Sequence, residues 1–171
     1  FKKARTFINV IRSSRNIKSV EELKYRFDTV IEVKSPVSRD ETLGFLTDQL
    51  TGILRTSPPE PVGRMLIDYT AEKLKPILTN PTSPEFTKVL LKIAGIYQIG
   101  GVLYRDDVYL QRAEDYLLEG LEVSPRRSQF LYGLLDLYST RGNKVKVKEI
   151  GEEILRYWPA DENVRNFLDS I

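Results

Sequence analysis

The chain has 171 residues, 41% hydrophobic and 29% charged, enough to bury one ordinary core or one continuous repeat interface without disulfides. Its 26 basic and 24 acidic side chains leave a formal net charge of +2, so the overall balance selects neither nucleic acid nor acidic substrates. Cysteine is absent, which excludes disulfides, thiolate nucleophiles and cysteine metal sites; histidine is absent too, which removes the usual neutral-pH acid/base group and the commonest metal ligand.

Residues 1–18 carry Lys2, Lys3, Arg5, Arg12, Arg15 and Lys18 and no acid, and Ala4, Phe7, Ile8 and Ile11 recur at helical spacing, so the first expected element is a basic amphipathic helix over 2–13. Ser19 with Glu22 three positions on is a capping-box start, and Leu23, Phe27, Val30 and Ile31 supply an apolar stripe that Pro36 ends. Ser38 with Glu41 repeats the signal, and Leu43, Leu46, Leu50, Ile53 and Leu54 carry a helix to about 55. After a proline-rich connection at 56–61, Val62, Met65, Leu66, Tyr69, Leu74 and Ile77 mark a long helix whose last turn Pro76 disturbs by removing a donor. Ser83 before Pro84 opens a helix over 85–99.

From there the pattern becomes periodic. Tyr104 and Tyr138, and Pro125 and Pro159, are each 34 positions apart, the period of a two-helix solenoid repeat. Placing Leu90, Ile93, Ala94 and Tyr97 in register with Leu131, Leu134, Leu135 and Tyr138 demands about seven extra residues in the first unit. They are expected as an insertion over 100–109 that keeps Gly100 and Gly101 in a turn, since glycine disfavours a helix interior. The partner helices carry Ala113, Leu117, Gly120 and Leu121, then Ile150, Ile154 and Leu155, and residues 162–168 start a further packing helix. The expected fold is all-α: antiparallel helical hairpins stacked as a short right-handed solenoid in a single domain 1–171, with a divergent helical region 1–82 and two hairpins plus a terminal helix over 83–171.

The segment AEDYLLEGLEVSPRRSQFLYGLLDLYSTRG, 113–142, and YWP at 157–159 resemble the tetratricopeptide repeat family in their order of aromatic, small and proline positions. Val147 and Ile154 depart from that pattern, where small residues are usual, which implies looser or shifted packing. The runs KSVEELKYRFDTVIEVKSPVSRDETLGFLTDQL, 18–50, and YRDDVYLQRAEDYLLEGLEVSPRRSQ, 104–129, also resemble the soluble tail of bacterial O-antigen ligase/polymerase-like membrane proteins. That resemblance implies a non-catalytic assembly or recognition domain, its chemistry in a membrane portion outside this chain, which begins at Phe1.

Repeat geometry implies a concave groove from Lys88, Leu91, Lys92, Gly95 and Gln98 on one first helix and Gln129, Tyr132, Gly133, Asp136 and Ser139 on the next, suited to a peptide or protein segment. Lys2, Lys3, Arg5, Arg12 and Arg15 form a patch that could face anionic headgroups, which favours the cytoplasmic side of an inner membrane. No near-apolar run here reaches the roughly 20 residues of a span. Competing readings are a free-standing cytoplasmic scaffold and, less favoured, a nucleic-acid binder using Arg12, Arg15, Lys18 and the cluster Arg141, Lys144, Lys146 and Lys148. The acidic pairs Asp106–Asp107, Glu21–Glu22 and Glu152–Glu153 read as helix capping or solvated faces. No catalytic residue, metal site or cofactor is expected.

Overall fold

The computed structural model describes residues 19–32 and 39–171; the basic patch Lys2, Lys3, Arg5, Arg12 and Arg15, the expected helix 2–13 and the Ser38 cap lie outside those residues. Among the described residues the structure is all-α, with eight helices and no strand. The chain divides into two compact units, Phe1–Glu85 and Phe86–Ile171.

In the first unit the described helices are α1 (Val20–Glu32), α2 (Arg39–Leu54) and α3 (Glu60–Leu78). The Ser19 hydroxyl accepts the Glu22 N–H at 3.1 Å, so the capping signal acts where the sequence places it. Leu23 and Phe27, then Leu43, Leu46, Leu50 and Leu54, then Leu66, Leu74 and Ile77 form the core, which is why the three apolar stripes converge. Buried Thr47 and Thr70 return their hydroxyls to the carbonyls of Leu43 and Leu66 at 2.7 and 2.8 Å, so neither leaves an unpaired donor. The Tyr69 hydroxyl on α3 donates to Asp28 on α1 at 2.9 Å, and Lys73 pairs with the same carboxylate oxygen at 2.7 Å. Burial, and then the Asp28 hydrogen bond and charge, push the Tyr69 phenol well above its ordinary range. Pro76 sits inside the last turn of α3, where Thr79 donates both its N–H and its hydroxyl to the Lys75 carbonyl at 3.0 Å.

The second unit holds α4 (Phe86–Tyr104), α5 (Asp107–Val123), α6 (Ser128–Thr140), α7 (Lys144–Tyr157) and α8 (Glu162–Asp169). Consecutive helices are neighbours, and α4 also touches α6. Paired positions give the direction: Leu117 meets Gly133 while Gly120 meets Phe130, so α5 and α6 run antiparallel. Some of the helix boundaries recur at 34 positions and others do not: the starts of α5 and α7 are 37 apart and those of α4 and α6 are 42 apart. Val123 and Tyr157 close α5 and α7 34 positions apart, and Ser128 and Glu162 open α6 and α8 34 positions apart.

The expected insertion over 100–109 is not a loop. Helix α4 runs unbroken through Gly100 and Gly101, both buried. A Cβ on Gly101 would meet Leu110 at 2.6 Å, so the absent side chain lets α5 lie close against α4, and that contact outweighs the helix cost of glycine, about 1 kcal/mol. The extra residues lengthen both helices: α4 continues seven residues past Tyr97 where α6 continues two past Tyr138, and α5 has 17 residues where α7 has 14. The reversal is made by Arg105, held at φ 50°, and Asp106, whose carboxylate accepts the N–H groups of Val108 and Tyr109 at 2.9 and 3.2 Å. Replacing Asp106 with alanine is expected to lower stability by about 1 kcal/mol, and Asp106→Asn by less, in thermal melts monitored by circular dichroism.

The lengthened hairpin is sealed by rings: Tyr97 packs edge-on to Tyr109 with centroids 5.4 Å apart and stacks on Tyr116 at 5.9 Å. Val147 and Ile154, expected to loosen the second hairpin, are 3% and 0% exposed. Gly120 faces Phe130; the residues 34 positions on, Ile154 and Val164, are both buried and of middle size. Leu117 faces Gly133, and Gly151 faces Leu168, 35 positions past Gly133.

Candidate binding face

Direct contacts link some of the residues named from the repeat pattern. Gln98 on α4 donates to Asp136 on α6 at 2.6 Å, bringing two groove residues together across 38 positions of sequence. Tyr132 on α6 donates its hydroxyl to Asp161, the cap of α8, and Arg127 at the start of α6 reaches the Thr87 hydroxyl on α4. Of the remaining expected residues, Lys88, Gln129 and Ser139 are exposed and Leu91 and Lys92 half-buried. One is reassigned. Gly133 points at Leu117, where a Cβ would come within 2.7 Å, so it belongs to the α5–α6 contact. Ser139 donates its hydroxyl to the Leu135 carbonyl at 2.7 Å and keeps its acceptor capacity on the exposed side. Gly95, in contrast, has nothing within 4 Å of the position its Cβ would take.

Exposed Asn163 and Asn166 on α8, 34 positions beyond Gln129 and Tyr132, extend the same face by two amides that the sequence reading passed over. Also passed over is a shallow pocket of about 550 Å³ where α6 meets the turn from α7 to α8, lined by Ser128, Tyr132, Tyr157, Trp158, Pro159, Ala160 and Asp161. The signal was present in YWPAD at 157–161, but its aromatic and proline residues carry the repeat pattern as well as the pocket. The Asp161 carboxylate also accepts the Val164 N–H at 3.0 Å. Those hydrogen bonds, the Tyr132 hydroxyl first, hold Asp161 below the usual carboxylate range, while the same bond, then burial, pushes the Tyr132 phenol up to about 12.

A second cluster was not legible at all. Glu114 on α5, 4% exposed, accepts Tyr138 Oη at 2.8 Å, Arg141 Nη1 at 2.6 Å and Lys146 Nζ at 2.6 Å. Arg141 also donates to Asp107 at 2.9 Å, and the Lys146 ammonium stands 4.6 Å over the Tyr138 ring. Burial alone would raise the Glu114 carboxyl, but hydrogen bonds from Lys146 and Tyr138 and the charges of Lys146 and Arg141 outweigh it and hold it below its ordinary value. The cluster therefore ties α5, α6 and α7 together. Of the residues Arg141, Lys144, Lys146 and Lys148, Arg141 and Lys146 are engaged by Glu114. Lys144 donates to the Ile171 carbonyl at 3.0 Å and Lys148 lies 3.9 Å from Glu152, and both stay exposed.

Among the described residues no group of three or more acidic side chains is placed to hold a metal ion. The groups that face outward are amides, carboxylates, lysines and aromatic edges, an arrangement that can orient a segment by hydrogen bonds and ring contacts. No family model, curated protein or solved structure matches the chain.

Proposed function

We propose that Phe86–Ile171 is a short right-handed stack of tetratricopeptide-type hairpins that holds an extended peptide segment on the face formed by α4, α6 and α8, and that the chain serves as a non-catalytic assembly domain. The observation that carries this reading is that α5 and α7 end, and α6 and α8 begin, 34 positions apart, with a glycine facing a large side chain at each junction. A stack of this kind turns its first helices to one side, and the Gln98–Asp136 contact supports that arrangement.

The open space at Gly95 supplies a test. Gly95→Gln places a long side chain in the groove without touching the core and improves helix propensity by about 0.5–1 kcal/mol. It is expected to weaken peptides selected from a random library against the intact chain by at least about tenfold while the melting temperature holds or rises, the result for a residue that binds rather than supports. The same change at exposed Glu122 on α5 should leave binding unaltered. Equal effects at both positions would overturn the groove.

The setting we propose, from the resemblance of 18–50 and 104–129, is the tail of a membrane O-antigen ligase or polymerase. Against the expectation from the sequence, one helix among the described residues, Phe86–Tyr104, is long and apolar enough to cross a bilayer, although half of it is buried within the second unit in the manner of a core helix. The reading frame upstream of Phe1 decides the setting: a multi-span hydrophobic region supports it, and its absence favours a free-standing scaffold.

A further inference from the structure

The pocket at the α6–α8 junction has a composition that selects its occupant. Tyr132, Tyr157 and Trp158 contribute rings, with Tyr157 and Trp158 centroids 5.7 Å apart and tilted, and Asp161 contributes a carboxylate. No lysine or arginine lines it, so its single formal charge is negative. Asp161 uses one oxygen for the Tyr132 hydroxyl and the other for the Val164 N–H, and with the Asn163 N–H also acting on it the carboxylate keeps acceptor capacity for one further donor. Arg165, one turn on, gives its guanidinium to the Pro159 carbonyl at 2.5 Å. Ring faces are negative at their centres, so rings beside an ionised carboxylate favour a cation over an anion or a neutral group.

We infer that this pocket receives a lysine or arginine side chain of the peptide lying on the α4–α6–α8 face. The inference rests on the proposed peptide-holding role and adds a requirement for a basic residue at one end of the segment. Placement follows from the fold: Tyr132 belongs both to the groove and to the pocket, so a chain crossing α6 reaches Asp161 within one side-chain length. Arginine suits the site best, since its plane can lie on an aromatic face while its fork meets the carboxylate.

Trp158 is the only tryptophan, so its emission reports the pocket directly. The experiment titrates the full chain with a short blocked peptide containing one arginine, its citrulline counterpart of equal shape and no charge, and a neutral oligosaccharide. The arginine peptide is expected to shift the emission and to bind about five- to tenfold more tightly than the citrulline peptide, the scale of one exposed cation–ring contact with one exposed ion pair. Asp161→Asn keeps one oxygen for the helix cap and turns its amide NH2 towards the Tyr132 hydroxyl, which can accept from it; it should preserve the melt and abolish the difference between the two peptides. Equal binding of both peptides, lost in Gly95→Gln, would overturn the cation site and leave the groove standing. A response to the oligosaccharide alone would overturn both.

Discussion

Gly120→Ile is expected to destabilise the chain by about 2–3 kcal/mol, and Phe130→Val by a similar amount, yet the double variant should lose only about 1–2 kcal/mol. The first change drives a branched side chain into the Phe130 ring, because even a Cβ on Gly120 would overlap it. The second leaves a cavity where a fully buried ring was. Together they install at α5–α6 the pair found 34 positions later, Ile154 and Val164, which are 0% and 3% exposed. Independent effects would sum to about 5 kcal/mol, so the expected coupling is about 3 kcal/mol, at the upper end for residues in contact. Urea denaturation of the four proteins measures it. Additive losses would mean that the two junctions are not versions of one packing solution.

Glu114→Leu removes the shared acceptor of Arg141, Lys146 and Tyr138. Breaking a buried pair from one side costs about 3–5 kcal/mol, but the Lys146 side chain is 43% exposed and partly screened by water, so a loss of about 2–3 kcal/mol is expected. The same carboxylate makes stability depend on acid. Its folded value is depressed, so its contribution is complete above the ordinary 4.5 and declines as pH falls from there through the folded value. Urea midpoints measured between neutral and acidic pH should fall more steeply for the parent than for Glu114→Gln, which has no such proton to take up. Parallel curves would remove Glu114 from the account.

The helical class and the apolar stripes were legible in the sequence because each depends on local spacing. The long hairpin was misread at Gly100 and Gly101, since the local helix cost of glycine is visible in sequence and the close approach of Leu110 is not. Glu114 was illegible for the same reason: its partners lie 24, 27 and 32 positions away, and beside Asp115 it looks like another solvated acid. The pairing of Arg141 and Lys146 was illegible because their carboxylate partners come from α5. Register placed Gln98 and Asp136 on neighbouring first helices, where they meet, whereas the Trp158–Asp161 corner needs the turn between α7 and α8 to bring it beside Tyr132.

Amide shift mapping of the isotope-labelled chain during titration with the arginine peptide tests the central claim most directly. The account predicts perturbations along Leu91, Gly95 and Gln98, along Gln129, Tyr132 and Asp136, and at Asp161, Asn163 and Asn166, with the exposed outer positions Asp115 and Glu122 of α5 unchanged. Perturbations concentrated on those α5 positions, with the first-helix face silent, would contradict it.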